Sequence, residues 1–411
     1  MSKIILGYEK LYINTLLGWN YNGRIEPSNI VATEDRLQTM NDYESYHYNL
    51  LIEPQYNRVQ PDLPILHAGF NNSIEPKLIS DITDEQYFYI IELRNIHLYL
   101  DFTSHIAISD KALTDIRNRQ AHLVFIYHHE GDMGKYIHTF NMLVQELNLP
   151  KDRVLLLHGD FDTVYYNDAP YTYVPVNCFP FWLKQFARDT IVDYTPNKLY
   201  VSYNRIARPH RIVLLYLLYK NNLIDSGIVS CGILNTEIVD NIISYNFNAT
   251  DTEFFSRLSG MSPDDKQLGV DNPAQDIVAE HYTNTFVSLV SETLTEGLFF
   301  SEKIYKPVAM GQPFILVGSY KQLEFFRSFG FMTFDKWWNE DYDNIEDTVQ
   351  RIECIVQLLT DLNNKPVEEL MQIREEMKPV LIHNQQVFNQ MITNKPYQDQ
   401  QPIVDYLKTL I

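Results

Sequence analysis

Short apolar runs separated by helix-length stretches constrain this chain more than any other feature. His122-Leu-Val-Phe-Ile-Tyr127 and Val154-Leu-Leu-Leu157 read as strands. Between them, residues Lys135 to Leu147 place Ile137, Phe140, Leu143 and Leu147 at helical spacing. Tyr87-Phe-Tyr-Ile-Ile91 reads as an earlier strand or helix start. The rhythm then restarts, with strand Leu199–Tyr203, helix Pro209–Asn221 and strand Gly227–Ser230. Strands at Phe286–Val290, Leu298–Phe300 and Phe314–Val317 follow. Strands alternating with helices of this length predict βαβ units and parallel sheets.

A chain of 411 residues is too long for one ordinary core and suits two domains. Asp189 to Asn197 is largely polar, contains Pro196 and is the candidate linker. It divides an N-terminal α/β domain, residues 1–190, from a C-terminal α/β domain, residues 191–411. The second domain ends in a helical tail, where Val349, Ile352, Val356 and Leu359 share one face and a further helix follows Pro366. The first hundred residues carry no clear rhythm. Asn246 to Asp276 reads as loop and helix insertions.

Charge narrows the function classes. The formal net charge is −20, so the chain as a whole repels polyanions, and nucleic acid is an unlikely partner. The three cysteines, Cys178, Cys231 and Cys354, are far apart and outside metal-ligand spacing, which argues for a reducing compartment. No apolar run reaches membrane-spanning length, and the N-terminal apolar stretch is too short for a signal peptide. A cytoplasmic protein is the expectation.

Four places carry candidate chemistry. Ser301-Glu-Lys303 follows the apolar Phe299-Phe300 pair, and Ser301 is a suitable helix N-cap. A helix start offers free N–H groups and a positive dipole end to phosphate, and Lys303 adds a charge. Glu302 can accept from two hydroxyls, as a ribose diol would supply. Pro307 is expected to kink or restart this helix, and Gly311 to end it. The second place is Asn204-Arg-Ile-Ala-Arg-Pro-His-Arg211, where Arg205, Arg208, His210 and Arg211 crowd a helix start. Cations there oppose the helix dipole, and a bound anion would remove the conflict. Third, Glu292 in Ser291-Glu-Thr293 lies at a strand's carboxyl end and can hold a sugar hydroxyl. Fourth, Glu130 with Asp132, and Asp160 with Asp162, form acidic turns after the strands of the first domain. A carboxylate base for an acceptor hydroxyl can come from such a turn, and Glu130 and Asp160 are the candidates. Each place also has a plain structural reading as a capped helix, a set of surface ion pairs or solvated loop carboxylates. Asp160-Phe-Asp162 has the form of an Asp-x-Asp metal motif, as does Asp341-Tyr-Asp343.

Ser301-Glu-Lys-Ile-Tyr-Lys-Pro-Val-Ala-Met-Gly-Gln-Pro-Phe-Ile-Leu-Val-Gly318 resembles the donor-site signature of the α1,3-fucosyltransferase-like family. Phe286-Val-Ser-Leu-Val-Ser-Glu-Thr293 resembles the Glu-Asn element preceding that signature, with Thr293 in place of Asn. Tyr203 to Arg211 resembles a motif of viral and bacterial relatives, as do Phe329–Phe334 and Trp338–Asp343. The resemblance spans about residues 196–390 and leaves the first domain unmatched. It implies GT-B architecture, with two Rossmann-like domains facing a cleft, and an inverting, metal-independent glycosyltransferase with no cofactor. Its substrates would be a nucleotide-sugar donor, GDP-fucose-like as a first choice, and a glycan or other hydroxyl acceptor. By that resemblance Glu302 contacts ribose, Lys303 the diphosphate, and Arg205 or Arg208 the leaving group, where preorganised cations lower the barrier. The alternatives are a binding module without catalysis and a metal-dependent transferase built on Asp160 and Asp162.

Overall fold

The computed structural model describes residues 4–8, 74–92, 108, 110–127, 134–159, 166–175, 186–187, 191, 194–232, 252–259, 277–394, 407 and 410. Contacts divide the chain into two units, Met1–Cys178 with Pro396–Ile411, and Phe179–Lys395. The division falls ahead of the polar stretch at 189–197. Within the second unit, Thr195 and Asn197 donate backbone N–H groups to the carbonyls of Thr283 and Asn284 (3.0 and 2.9 Å). That part of the expected linker is therefore hydrogen-bonded structure.

The first unit contains a six-stranded parallel sheet of β1 (Ile4–Tyr8), β2 (Ile74–Leu78), β3 (Tyr87–Glu92), β4 (Ala121–Tyr127), β5 (Val154–His158) and β6 (Thr172–Pro175). Their order is β2-β1-β3-β4-β5-β6. Helices α1 (Asp110–Arg117) and α2 (Gly134–Glu146) lie in the crossovers. Tyr87, Tyr89, Leu123, Phe125 and Leu156 join Ala112, Ile116 and Phe140 in one core. The apolar run at 154–157 reads out as a strand buried along its whole length, as central parallel strands require.

The second unit contains β7 (Lys198–Ser202), α3 (Pro209–Lys220), β8 (Gly227–Val229), α4 (Thr252–Ser259) and α5 (Ala279–Thr283). It continues through β9 (Thr285–Ser291), α6 (Glu302–Met310), β10 (Phe314–Val317) and α7 (Gln322–Ser328), and ends with α8 (Thr348–Asn363) and α9 (Val367–Asn389). The sheet is parallel throughout, in the order β10-β9-β7-β8. The chain runs outward from β7 to β8, then returns past β7 to β9 and β10. The gap between β7 and β9 is therefore the switch point, where open parallel sheets bind ligands beyond their carboxyl ends. Among the described residues no helix is long and apolar enough to cross a membrane.

Two local expectations are corrected. Leu298–Phe300 is not a strand. Its apolar character serves burial instead, with the Phe300 ring stacked on Phe325 at 5.1 Å and the Phe299 carbonyl accepting from Gln322 Nε2 (2.6 Å). Nor does Pro307 break its helix, since α6 runs unbroken from Glu302 to Met310. A helix-interior proline costs about 3 kcal/mol. Here every residue from Ile304 to Met310 is buried, and packing on all sides outweighs that cost. Gly311 ends α6 in the left-handed region (φ 60°), with Gln312 N–H closing the last turn on the Pro307 carbonyl (2.9 Å).

Candidate functional site

The β-sheet register brings three of the sequence candidates to one edge. Val317 on β10 pairs with Ser291 on β9, and Val201 on β7 pairs with Ser288 on β9. Continuing that register sets Asn204 level with Ser291. The carboxyl ends of β7, β9 and β10 thus finish together, and α3 and α6 start beside them.

The turn after β7 is tightly built. Asn204 is fully buried. Its Nδ2 donates to Ser202 Oγ (3.1 Å) and to the Ser230 carbonyl (3.2 Å), which fixes the amide and aims Oδ1 the other way. Gly232 N–H donates to the Asn204 carbonyl (2.8 Å). A Cβ at Gly232 would lie 1.7 Å from the Arg205 carbonyl oxygen, so only glycine fits there.

The basic cluster separates into two roles. Arg205 is exposed and Arg208 is half-buried at the N-cap of α3. Arg211 is 2% exposed. Its Nη2 donates to the carbonyls of Ser291 and Glu292 (both 2.9 Å), and its Nη1 to that of Ile206 (3.0 Å). His210 Nε2 meets the Glu292 carbonyl at 3.0 Å. Burial first, then the neighbouring Arg211 guanidinium, push the His210 imidazole down to about 3, so it donates as a neutral ring. Arg211 and His210 therefore clamp the end of β9 to the start of α3.

At the start of α6, Ser301 is the N-cap, as the sequence predicts, and accepts from Lys303 N–H (3.3 Å). The ammonium of Lys303 reaches Thr293 Oγ1 (3.1 Å), Ser301 Oγ (3.2 Å) and Glu302 Oε1 (3.0 Å). Ser301 Oγ in turn donates to Glu292 Oε2 in a short bond. Thr293 and Ser301 were legible only as a departure from a motif and as a cap. The structure makes both of them supports of the lysine.

Among the described residues, five buried polar atoms along this edge find no hydrogen-bond partner. They are Asn204 Oδ1, Arg208 Nε, Ser291 Oγ, Glu302 Oε2 and Ser319 Oγ. Buried polar groups are almost always paired, so such a concentration marks a place where a polar ligand or water completes the bonding. Ser319, just beyond β10, was not among the sequence candidates. Its signal is positional: it is the first hydroxyl beyond β10, after Gly318.

Asp341-Tyr-Asp343 has a structural explanation. Asp343 accepts from the backbone N–H groups of Leu323 and Glu324 (2.9 and 3.0 Å) and so caps α7. Glu130, Asp132, Asp160 and Asp162 lie outside the described residues.

No protein-family model matches the chain, and no curated protein matches its sequence. The resemblance to the α1,3-fucosyltransferase-like family is not confirmed by either comparison. Among solved structures the chain is similar to a trehalose-6-phosphate synthase, OtsA, at 13% identity and a TM-score of 0.41, over 80% of this chain and 73% of that one. It is similar to an α,α-trehalose-phosphate synthase (UDP-forming) from Burkholderia vietnamiensis at 13% identity and a TM-score of 0.40, over the same shares, 80% and 73%. An α,α-trehalose 6-phosphate synthase from Burkholderia multivorans matches at 12% identity and a TM-score of 0.39, over 99% of this chain and 100% of that one. The α/β fold with two parallel sheets rests on the strand ladders themselves.

Proposed function

We propose that the second unit binds the nucleoside diphosphate of an activated sugar at the β7–β9 switch point, and that the chain is a GT-B glycosyltransferase. The observation carrying this reading is the set of buried polar atoms without a partner among the described residues, at the sheet edge where a capped helix start and a basic turn also meet. Acceptors and cations are both present, and a nucleotide sugar needs both. Glu302 Oε2 suits a ribose hydroxyl. The α6 start and Lys303 suit the diphosphate. Arg205 or Arg208 would neutralise the departing nucleoside diphosphate, whose negative charge grows as the glycosidic bond breaks.

In its finer form the proposal is an inverting, metal-independent transfer from a GDP-fucose-like donor to a glycan or other hydroxyl acceptor, with Glu130 or Asp160 as base. Titration of the whole chain with GDP, UDP, ADP and CMP tests the donor site. Failure of all four to bind, or unchanged binding in Lys303→Ala, ends the reading. For a nucleotide that binds, transfer from its sugar conjugates in excess chelator separates metal-independent from metal-dependent chemistry. The anomer formed then decides inversion. Binding without transfer to any acceptor pool would leave a binding module.

A further inference from the structure

Ser301 Oγ sits at a junction of three hydrogen bonds. It donates to Glu292 Oε2, and accepts from the backbone N–H of Lys303 (3.3 Å) and from Lys303 Nζ (3.2 Å). A serine hydroxyl has one proton and two lone pairs. With the proton given to Glu292, both lone pairs are left for Lys303. If the hydroxyl turned, its proton would face the ammonium, and two donors would oppose each other.

Glu292 is held so that it can impose this direction. It is fully buried, and its backbone N–H donates to the Val317 carbonyl on β10 (3.0 Å). Its own carbonyl accepts from His210 Nε2 (3.0 Å) and Arg211 Nη2 (2.9 Å), both on α3. The next residue, Thr293, supplies another acceptor for Lys303 Nζ at 3.1 Å. One short segment thus ties β10, α3 and α6 to a single ammonium.

We infer that Glu292 is a positioning residue for the diphosphate of a nucleoside diphosphate: through the Ser301 hydroxyl it presets Lys303 and the first turn of α6 for the anion, without touching the ligand. The inference rests on the donor-site reading above and deepens it. A glutamine at 292 keeps the shape but has an amide that can present N–H to Ser301, turning the serine proton onto Lys303. The carboxyl has no such wrong orientation.

The experiment measures binding of GDP or UDP, and of guanosine or uridine, to the whole chain. The variants are Glu292→Gln, Ser301→Ala, Ser301→Thr and Lys303→Ala, with both Glu292→Gln and Ser301→Ala repeated in the Lys303→Ala background. Glu292→Gln and Ser301→Ala are expected to weaken the diphosphate about tenfold and leave the nucleoside unchanged. Ser301→Thr restores binding, and both losses vanish once Lys303 is gone. Equal loss of nucleoside and diphosphate, or a loss that persists in the Lys303→Ala background, would show general structural support and overturn the inference. Unchanged diphosphate binding overturns it too. If Glu292→Gln does not fold, Ser301→Ala and its double variant decide by the same criteria. A wild-type chain that binds neither GDP nor UDP removes the donor site itself. Loss on Lys303→Ala alone keeps that site and removes only the role of Glu292.

Discussion

Two helices of the second unit begin at the same sheet edge and treat their cations in opposite ways. At α3 the N-cap is Arg208 with no side-chain cap, and Arg211 and His210 turn inward to the carbonyls that end β9. At α6 the N-cap is Ser301, and Lys303 stays at the rim with its side chain 22% exposed, held by oxygens of Thr293, Ser301 and Glu302. One turn spends two of its basic side chains, His210 and Arg211, on architecture, and the other holds its lysine at the rim. The difference teaches that the number of cations at a helix start does not count the groups available to an anion. Direction decides, and neighbouring carbonyl oxygens set direction.

The contrast can be broken in four ways. Arg211→Met is expected to lose about 3 kcal/mol of stability, because the Ser291 carbonyl loses its Arg211 donor and the Glu292 and Ile206 carbonyls each lose one of their donors at the joint between β9 and α3. Chemical denaturation measures this, and a change under about 1 kcal/mol would make Arg211 an accessory. Lys303→Ala should weaken a nucleoside diphosphate by about 2–3 kcal/mol, the range for a charge-assisted hydrogen bond, with little change in melting temperature. Calorimetric titration reads it.

Acidification is the next largest effect. The His210 pKa is lowered from 6.5 to about 3 in the folded chain, so the unfolded chain binds the extra proton first. Stability from this group is complete above pH 6.5 and falls as pH drops towards 3. The loss is roughly 2 kcal/mol at pH 5. Denaturation curves for Asn or Gln at 210 should show a flatter dependence between pH 7 and 5, and an unchanged slope would remove His210 from the clamp. The smallest effect is Arg208→Ala. Half-buried and unclamped, it should cost about 1.4 kcal/mol in diphosphate affinity, a tenfold change, and under about 0.5 kcal/mol in stability. A large loss of stability would place Arg208 with Arg211 and erase the contrast.

Much of the second unit was legible in its residues. Phe314–Val317 is a strand because four apolar residues bounded by Pro313 and Gly318 have few alternatives. Pro209 opens α3 and Gly311 closes α6, since each residue's backbone preference is local. What sequence could not show is where polar side chains find their partners. Leu298–Phe300 had the composition of a strand, but its place against α7 is a tertiary outcome. The inward turn of Arg211 depends on carbonyls that lie some eighty residues further along the chain. Gln312 read only as a lead-in to β10. In the fold its Nε2 donates to the Tyr282 carbonyl (2.9 Å), the Thr285 carbonyl (2.8 Å) and Thr285 Oγ1 (2.8 Å), joining α5 to β9. The candidate bases Glu130 and Asp160 remain readings of sequence, because they lie outside the described residues.

The strand order carries a consequence for how the site comes into being. β7, α3 and β8 are consecutive and can form early from local contacts, whereas β9 must return across the connection that includes α4 and α5 before it pairs with β7. Such non-local pairing is the slow part of folding. Until it happens, Arg211 and His210 lack the β9 carbonyls they clamp, and Lys303 has no preset turn. The proposed donor site is therefore complete only once β9 has docked, and the onset of nucleoside diphosphate binding in a refolding experiment would time that step.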